Sequence, residues 1–212
     1  MRPVLFVLAG VNGVGKSSLL SRALTQRGLG WFNPDDYARE LMRQGGCTQQ
    51  QANAEAWTAG TKLLRNAISE GHDHAHETTL GGTSLPRMIA RAAETHEVHL
   101  WYCGLATPEL HIARVQARVA AGGHAIDRER IRQRWTAAPR NLIELMPKLT
   151  ALRVYDNSVT AAPGEPIPEP ELLIEVRQQV VRQPAADDLE ALTALPEWAH
   201  PIAEAALSND PR

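Results

Sequence analysis

Apolar positions along the chain fall into short continuous runs separated by longer stretches at helical spacing, and this alternation predicts the elements. Val4 to Ala9 is apolar throughout and sits between Pro3 and Gly10, as expected of a strand buried on both faces. From Ser17 to Arg27, Leu19, Leu20 and Leu24 recur at helical spacing, with Arg22 and Arg27 outward, and Gly28 to Gly30 stop the helix. Trp31-Phe32-Asn33 reads as a second short strand. Asp35 to Gln44 reads as a helix whose acidic first turn suits the positive end of its dipole, and Gln49 to Ser69 as a longer helix. Asp73 to Leu80 is a polar strand candidate, and the nearby His72, His74 and His76 alternate onto one strand face, expected to be solvated rather than metal-binding. Ser84 to Glu94 is helical by composition, and Val98 to Cys103 is a strand. Pro108 to Ala121 and Asp127 to Leu149 form two helical segments around Gly122-Gly123-His124, the second broken or kinked at Pro139. Leu152 to Tyr155 and Leu172 to Val176 read as further strands.

A length of 212 residues with 43% hydrophobic and 22% charged content fits one globular domain with an appendage and excludes disorder or a coiled coil. The formal net charge of −2 gives no global basic field, so no nucleic-acid or membrane partner is expected and any anion site must be local. Cys47 and Cys103 are distant and in no metal-ligand spacing, which excludes a disulfide framework and fits a reduced, cytoplasmic protein. The first apolar run is too short to span a membrane and runs into glycines without a cleavage site.

Chemistry enters at Gly10-Val11-Asn12-Gly13-Val14-Gly15-Lys16-Ser17, which matches G-x-x-x-x-G-K-[ST] directly after a buried strand and directly before a helix. In that context backbone N–H groups converge on phosphate oxygens and the helix dipole adds to them. Gly10, Asn12, Gly13, Val14, Gly15, Lys16, Ser17 and Ser18 are therefore the candidate residues for ATP, with Lys16 on the terminal phosphates and Ser17 offering its hydroxyl to Mg²⁺. The alternating strands and helices around this loop imply an α/β P-loop NTPase fold, a mostly parallel sheet with helices on both faces and an arginine-rich helical lid. Residues 1–160 form the kinase core, with the lid over about 112–142. Residues 161–182 carry the proline-rich linker and a final strand, and 183–212 read as one loose helix and a frayed tail. A motor or switch NTPase would carry a second apolar strand ending in an acid. The strand ending Tyr102-Cys103-Gly104 carries none, which favours phosphoryl transfer to a small acceptor.

Asn33-Pro34-Asp35-Asp36 follows the second strand and belongs at the carboxyl edge of the sheet, where open α/β folds collect ligands. Asp35 is the candidate base for an attacking hydroxyl, and Asp36 a helix cap. Glu77, Thr78 and Thr79 close the third strand candidate at the same edge and suit a hydroxyl-rich acceptor. Arginines at 114, 118, 128, 130, 132, 134 and 140 make the most biased stretch of the chain. Arginine binds phosphate bidentately, and Arg118 and Arg134, flanking the glycine break, are the preferred phosphate clamps of a lid that excludes water.

Ala9 to Ser17, Asn33 to Asp36, His76 to Leu80, Arg118 with Gly122-Gly123-His124, Arg134, Arg140-Asn141-Leu142 and Tyr155-Asp156-Asn157-Ser158 occur in an order that resembles the zeta-toxin-like family of small P-loop kinases, over roughly residues 4 to 176. The resemblance implies transfer of the ATP γ-phosphate to a hydroxyl of a sugar nucleotide, UDP-N-acetylglucosamine in the best-known members. It also implies Asp35 as base, Glu77 and Thr78 at the acceptor, Arg118 and Arg134 on phosphates, and a separate antitoxin protein as partner. Asp156-Asn157-Ser158 reads most simply as a turn after a strand. Related kinases act on nucleotides, dinucleotides or antibiotics, so those acceptors stay open. The alternative of another class is a nucleotide-gated interaction protein without transfer. A nucleic-acid end kinase would want a basic groove with interleaved aromatics, against an aromatic content of 5%.

Overall fold

The computed structural model describes residues 2–16, 31–160 and 168–211. Seven described strands form one sheet: β1 Val4–Ala9, β2 Trp31–Phe32, β3 His74–Thr78, β4 Glu97–Gly104, β5 Ala151–Asp156, β6 Glu171–Arg177 and β7 Val180–Gln183. Their spatial order is β2-β3-β1-β4-β5-β6-β7. The first five run parallel, and β6 and β7 add an antiparallel edge. The described helices are α1 Pro34–Gln44, α2 Gln49–Glu70, α3 Ser84–Ala92, α4 Pro108–Ala120, α5 Arg128–Leu145, α6 Leu189–Thr193 and α7 His200–Ser208. This is the α/β P-loop arrangement expected of a chain whose strands alternate with helices. The helix expected after the P-loop, Ser17 and Ser18, and residues 161–167 of the linker lie outside the described residues.

Burial explains the sheet. Leu5, Val7 and Ala9 enter the main core from one face of β1, while Phe6 and Leu8 pack with Ala75 on the other. β3 is polar by sequence yet central, lying between β1 and β2 with Leu8 opposite Glu77 and Ala9 opposite Thr78. The expected solvation holds for His72, which precedes the strand and is exposed, but not for the histidines within it. His76 is buried and stacks on Phe32 with ring centroids 6.0 Å apart. Helix α2 closes over both rings at Gly60, where a Cβ would come within 2.5 Å of Phe32. Among the described residues no group of three His, Cys, Asp or Glu side chains could hold a metal.

Three other expectations are corrected. The cap of α1 is Asn33, whose side-chain oxygen accepts from the N–H groups of Asp35 (2.8 Å) and Asp36 (3.3 Å). Asp36 instead pairs with Arg39 at 2.8 Å in solvent. Helix α5 runs unbroken through Pro139, because Ile131, Ala138, Leu142 and Leu145 bury one continuous stripe that outweighs the missing backbone hydrogen bond. The C-terminal segment is no frayed tail: β7 pairs with β6, and Leu195, Ala199, Ile202, Ala203 and Ala206 enter the main core. Trp198 rests against Gly104 and donates from Nε1 to Asp156 at 3.1 Å. Ile112 and Val115 of α4 and Ile131 of α5, within the segment expected to form the lid, enter this core. Among the described residues, no helix is long and apolar enough to cross a membrane.

Candidate active site

The carboxyl ends of β1, β3, β4 and β5 converge on the loop from Gly10 to Lys16. Buried Val11 and Val14 anchor it from below. Gly13 has φ of +85°, and a Cβ there would meet the His111 carbonyl at 2.7 Å, so only glycine lets helix α4 approach. Three further contacts brace the loop: Gly10 N–H to Thr78 O (3.2 Å), His111 Nδ1 to Asn12 O (2.9 Å), and Asn157 Nδ2 to Val14 O (2.7 Å). Asn157, read from sequence as a turn residue, thus ties the end of β5 to the phosphate loop. The signal was its place just past a strand end. Nothing in the sequence marked His111, which lies buried on the inner face of α4.

Lys16 is only 8% exposed. Its ammonium donates to Gly10 O at 2.8 Å and lies 3.4 Å from Glu77 Oε1. Glu77 is buried, and its other oxygen has no hydrogen-bond partner among the described residues. Burial pushes the Glu77 carboxyl above its ordinary range, Lys16 opposes that shift, and the Asp35 charge reinforces it. The strand pairing therefore places an acid beside the P-loop lysine, on β3 rather than on the apolar strand β4. The Thr78 hydroxyl accepts from Leu80 N–H at 3.0 Å and shapes the turn after β3. Asn141 secures the same turn from α5, donating to Leu80 O (2.6 Å) and Gly82 O (2.9 Å).

Because Asn33 does the capping, the Asp35 carboxylate is left free at the helix start. Its oxygens lie 3.8 Å from Arg118 Nη1, in the last turn of α4, and 4.0 Å from His124 Nε2, in the α4–α5 connection. Burial lowers the His124 pKa, and Asp35 works against that shift. Arg134 reaches across from α5 and donates to Asn12 Oδ1 at 2.5 Å. It can do so because Gly81 lacks a side chain; a Cβ there would stand 2.5 Å from Arg134 Cγ. Burial depresses the Arg134 pKa, and the nearby Arg130 charge adds to the effect. Arg114 instead donates to Val159 O at 3.1 Å, and Arg132 pairs with Glu109 at 3.5 Å.

Lys16, Asp35, Glu77, Thr78, Thr79 and Arg134 all line one cleft of about 680 Å³. Arg118 joins them through Asp35. A carboxylate, a P-loop lysine and a half-buried arginine thus face one space large enough for a small molecule next to a phosphate chain. That arrangement can orient a hydroxyl and neutralise charge on a phosphoryl group.

A family model described as an AAA domain matches residues 5–138. An uncharacterized protein of Haemophilus influenzae is 31% identical over 128 residues, covering 59% of this chain and 88% of the relative. A structure from the PezAT chromosomal toxin–antitoxin system of Streptococcus pneumoniae aligns with a TM-score of 0.56 at 16% identity, over 73% of this chain and 68% of its own. The complex of AvrRxo1-ORF1 with AvrRxo1-ORF2 aligns with a TM-score of 0.63 at 19% identity, over 99% and 76%. A kinase-like protein of Chloroflexus aurantiacus, described as a putative kinase, aligns at 0.50 with 16% identity over 63% and 78%. These structural likenesses are of fold alone, the α/β P-loop fold described above. By the family match, the chain belongs to the AAA domain family.

Proposed function

We propose that this member of the AAA domain family is an ATP-dependent phosphotransferase of the zeta-toxin-like kind. It moves the γ-phosphate to a hydroxyl of a small acceptor, a sugar nucleotide such as UDP-N-acetylglucosamine. The observation that carries the reading is the Asp35 carboxylate, released from capping by Asn33 and facing the same cleft as Lys16.

In the reaction, the acceptor hydroxyl donates to Asp35 and its oxygen attacks the γ-phosphorus. The bond to the β–γ bridging oxygen breaks, ADP departs, and the hydroxyl proton passes to Asp35. Lys16 leaves the Gly10 carbonyl for the phosphates, and Arg134 exchanges Asn12 for a phosphoryl oxygen. Arg118 and His124 hold the Asp35 carboxylate from the connection above it. Glu77, Thr78 and Thr79 present carboxylate and hydroxyl groups to the remaining acceptor hydroxyls. Mg²⁺ supplies charge neutralisation on the phosphates when bound, and Ser17 would hold it. The oxygen-rich cleft, with no three-residue cluster among the described residues, fits an ion ligated mainly by phosphate and water. A separate antitoxin is the protein partner we assign, supported by the shared fold of the PezAT toxin–antitoxin system, and the cytoplasm, rich in ATP, is the compartment.

The test is incubation with Mg-ATP and a panel of UDP-sugars, nucleosides, dinucleotides and aminoglycosides, read by mass spectrometry. An adduct on one class that Lys16→Ala and Asp35→Asn both abolish supports the reading. ATP binding through Lys16 with no acceptor modified would overturn it in favour of a nucleotide-gated binder.

A further inference from the structure

The family match ends at residue 138, yet one brace of the phosphate loop, Asn157 on the Val14 carbonyl, comes from beyond it. What holds Asn157 is the acid before it. Asp156, the last residue of β5, accepts from Ser158 N–H at 3.1 Å and from Ser158 Oγ at 2.6 Å, so its carboxylate closes a turn around Asn157. The Ser158 hydroxyl in turn accepts from Ala106 N–H at 2.8 Å, and Asn157 N–H donates to Gly104 O at 3.1 Å, which ties the turn to the end of β4. Clearance is small on both sides of this turn. A Cβ on Gly15 would stand 2.8 Å from Asn157 Nδ2, and one on Gly104 would stand 2.4 Å from the Trp198 ring.

Among the described residues Asp156 has no cation at ion-pair distance, and the donor it takes from outside its own turn is Trp198 Nε1 at 3.1 Å. Trp198 belongs to a remote part of the chain, the short turn Glu197–Ala199 before α7. Its indole is fixed independently of that bond. The ring lies against Gly104 and 6.2 Å from the Tyr102 ring, and the fully buried Ala199 and Ile202 anchor the backbone that carries it. An indole N–H donates and cannot accept, and a hydrogen bond to a carboxylate is stronger than one between neutral groups. A donor held in place by its own packing sets the position of the carboxylate rather than following it.

We propose that Trp198 is a positioning residue for the nucleotide, through which the C-terminal segment sets the ATP affinity of the P-loop. Its N–H holds the Asp156 carboxylate, Asp156 holds the turn at Ser158, and the turn holds Asn157 on the Val14 carbonyl. The proposal rests on the reading of the loop as an ATP site and adds a residue, remote in sequence, that controls the shape of that loop. Neither Trp198 nor Asp156 needs to touch the nucleotide.

Calorimetric binding of Mg²⁺ with a non-hydrolysable ATP analogue tests it, at a temperature where circular dichroism shows each variant folded. Trp198→Phe keeps a ring against Gly104 and deletes the donor, and should weaken the analogue about 3- to 10-fold. Asp156→Ala leaves the Trp198 packing in place and should weaken it at least as much, although loss of a negative charge near an anion site would by itself strengthen binding. Ile202→Ala loosens the same segment without touching this chain of bonds and should leave affinity within about two-fold. In an Asn157→Ala background the Trp198→Phe effect should vanish, because both act on one contact. During turnover, Trp198→Phe should raise KM for ATP and leave kcat and the acceptor KM within about two-fold. Three results overturn the proposal: affinity unchanged in both Trp198→Phe and Asp156→Ala, losses that multiply in the double variant with Asn157→Ala, or an equal loss in Ile202→Ala, which would trace the effect to general loosening. Binding requires no transfer. The expected pattern without any phosphorylated product would therefore sink the phosphotransferase reading alone, and transfer with ATP affinity unchanged in both variants would sink this one alone.

Discussion

Replacing Lys16 by Met removes the cation beside a buried carboxylate, and the consequence follows from the geometry. Glu77 is 7% exposed, its Oε1 lies 3.4 Å from Lys16 Nζ, and its Oε2 has no partner among the described residues. Burial already raises this carboxyl, and Lys16 is the main influence holding it down. Without Lys16 the folded-state pKa rises further, while the unfolded value stays near 4.5. A raised folded pKa means that the folded state holds its proton more tightly. The associated stability is complete below the unfolded pKa and is lost as pH rises through the folded pKa. Lys16→Met should therefore be nearly as stable as wild type in mild acid. Its deficit should grow by up to about 1.4 kcal/mol per pH unit through the interval between the wild-type and variant pKa values of Glu77. The ceiling is about 3–5 kcal/mol, typical of a buried ion pair that loses one partner. Adding Glu77→Gln to Lys16→Met removes the charge and should restore most of the loss at high pH. Urea unfolding of wild type, single and double variants at pH 5 and pH 8 measures this. A Lys16→Met deficit equal at the two pH values, or no rescue in the double variant, would refute the reasoning.

Burial also holds His76 and His111 down to about 4. Depressed folded values give stability that is present above the unfolded value of 6.5 and lost as pH falls toward 4, up to about 3 kcal/mol for each. His76→Phe should flatten its share of the acid limb in urea midpoints at pH 7 and 4.5, and an unchanged limb would contradict the assignment. Ile202→Ala deletes a fully buried side chain of α7 and should cost about 2–5 kcal/mol by thermal or urea unfolding, whereas a frayed tail would show no loss. Asn157→Ala removes the donor to Val14 O and should weaken nucleotide binding roughly 3- to 10-fold by calorimetry with little loss of stability, while undiminished affinity would deny the brace a role.

Much of the architecture was legible because it rests on local pattern. The uniformly apolar β1, the glycine loop and the helical spacing from Gln49 to Ser69 each point to one element, and the described elements follow them. The misreadings share a physical cause, since each depended on what lies across the fold. β3 is polar by composition, yet α2 covers it because Gly60 lets a helix come close to Phe32 and His76. The C-terminal segment shows no apolar stripe because alanines do much of its packing, and small residues carry little weight in a hydropathy pattern. Pro139 looked like a break, but burial on both sides of it keeps α5 continuous. At the site, Lys16, Asp35, Glu77 and Arg134 were visible as residue types at a sheet edge. That Asn33 frees Asp35, that Glu77 faces Lys16, and that Asn157 and His111 brace the loop all required the fold.

The central claim is that Asp35 activates an acceptor hydroxyl for phosphoryl transfer from ATP bound at the P-loop. Its most direct test is single-turnover transfer to the identified acceptor by wild type and Asp35→Asn, beside the ATP dissociation constant of each. The account predicts ATP affinity within about two-fold of wild type and a transfer rate lower by about 10²- to 10⁴-fold. Transfer retained at near wild-type rate in Asp35→Asn, or a loss of transfer explained by an equal loss of ATP binding, would contradict it.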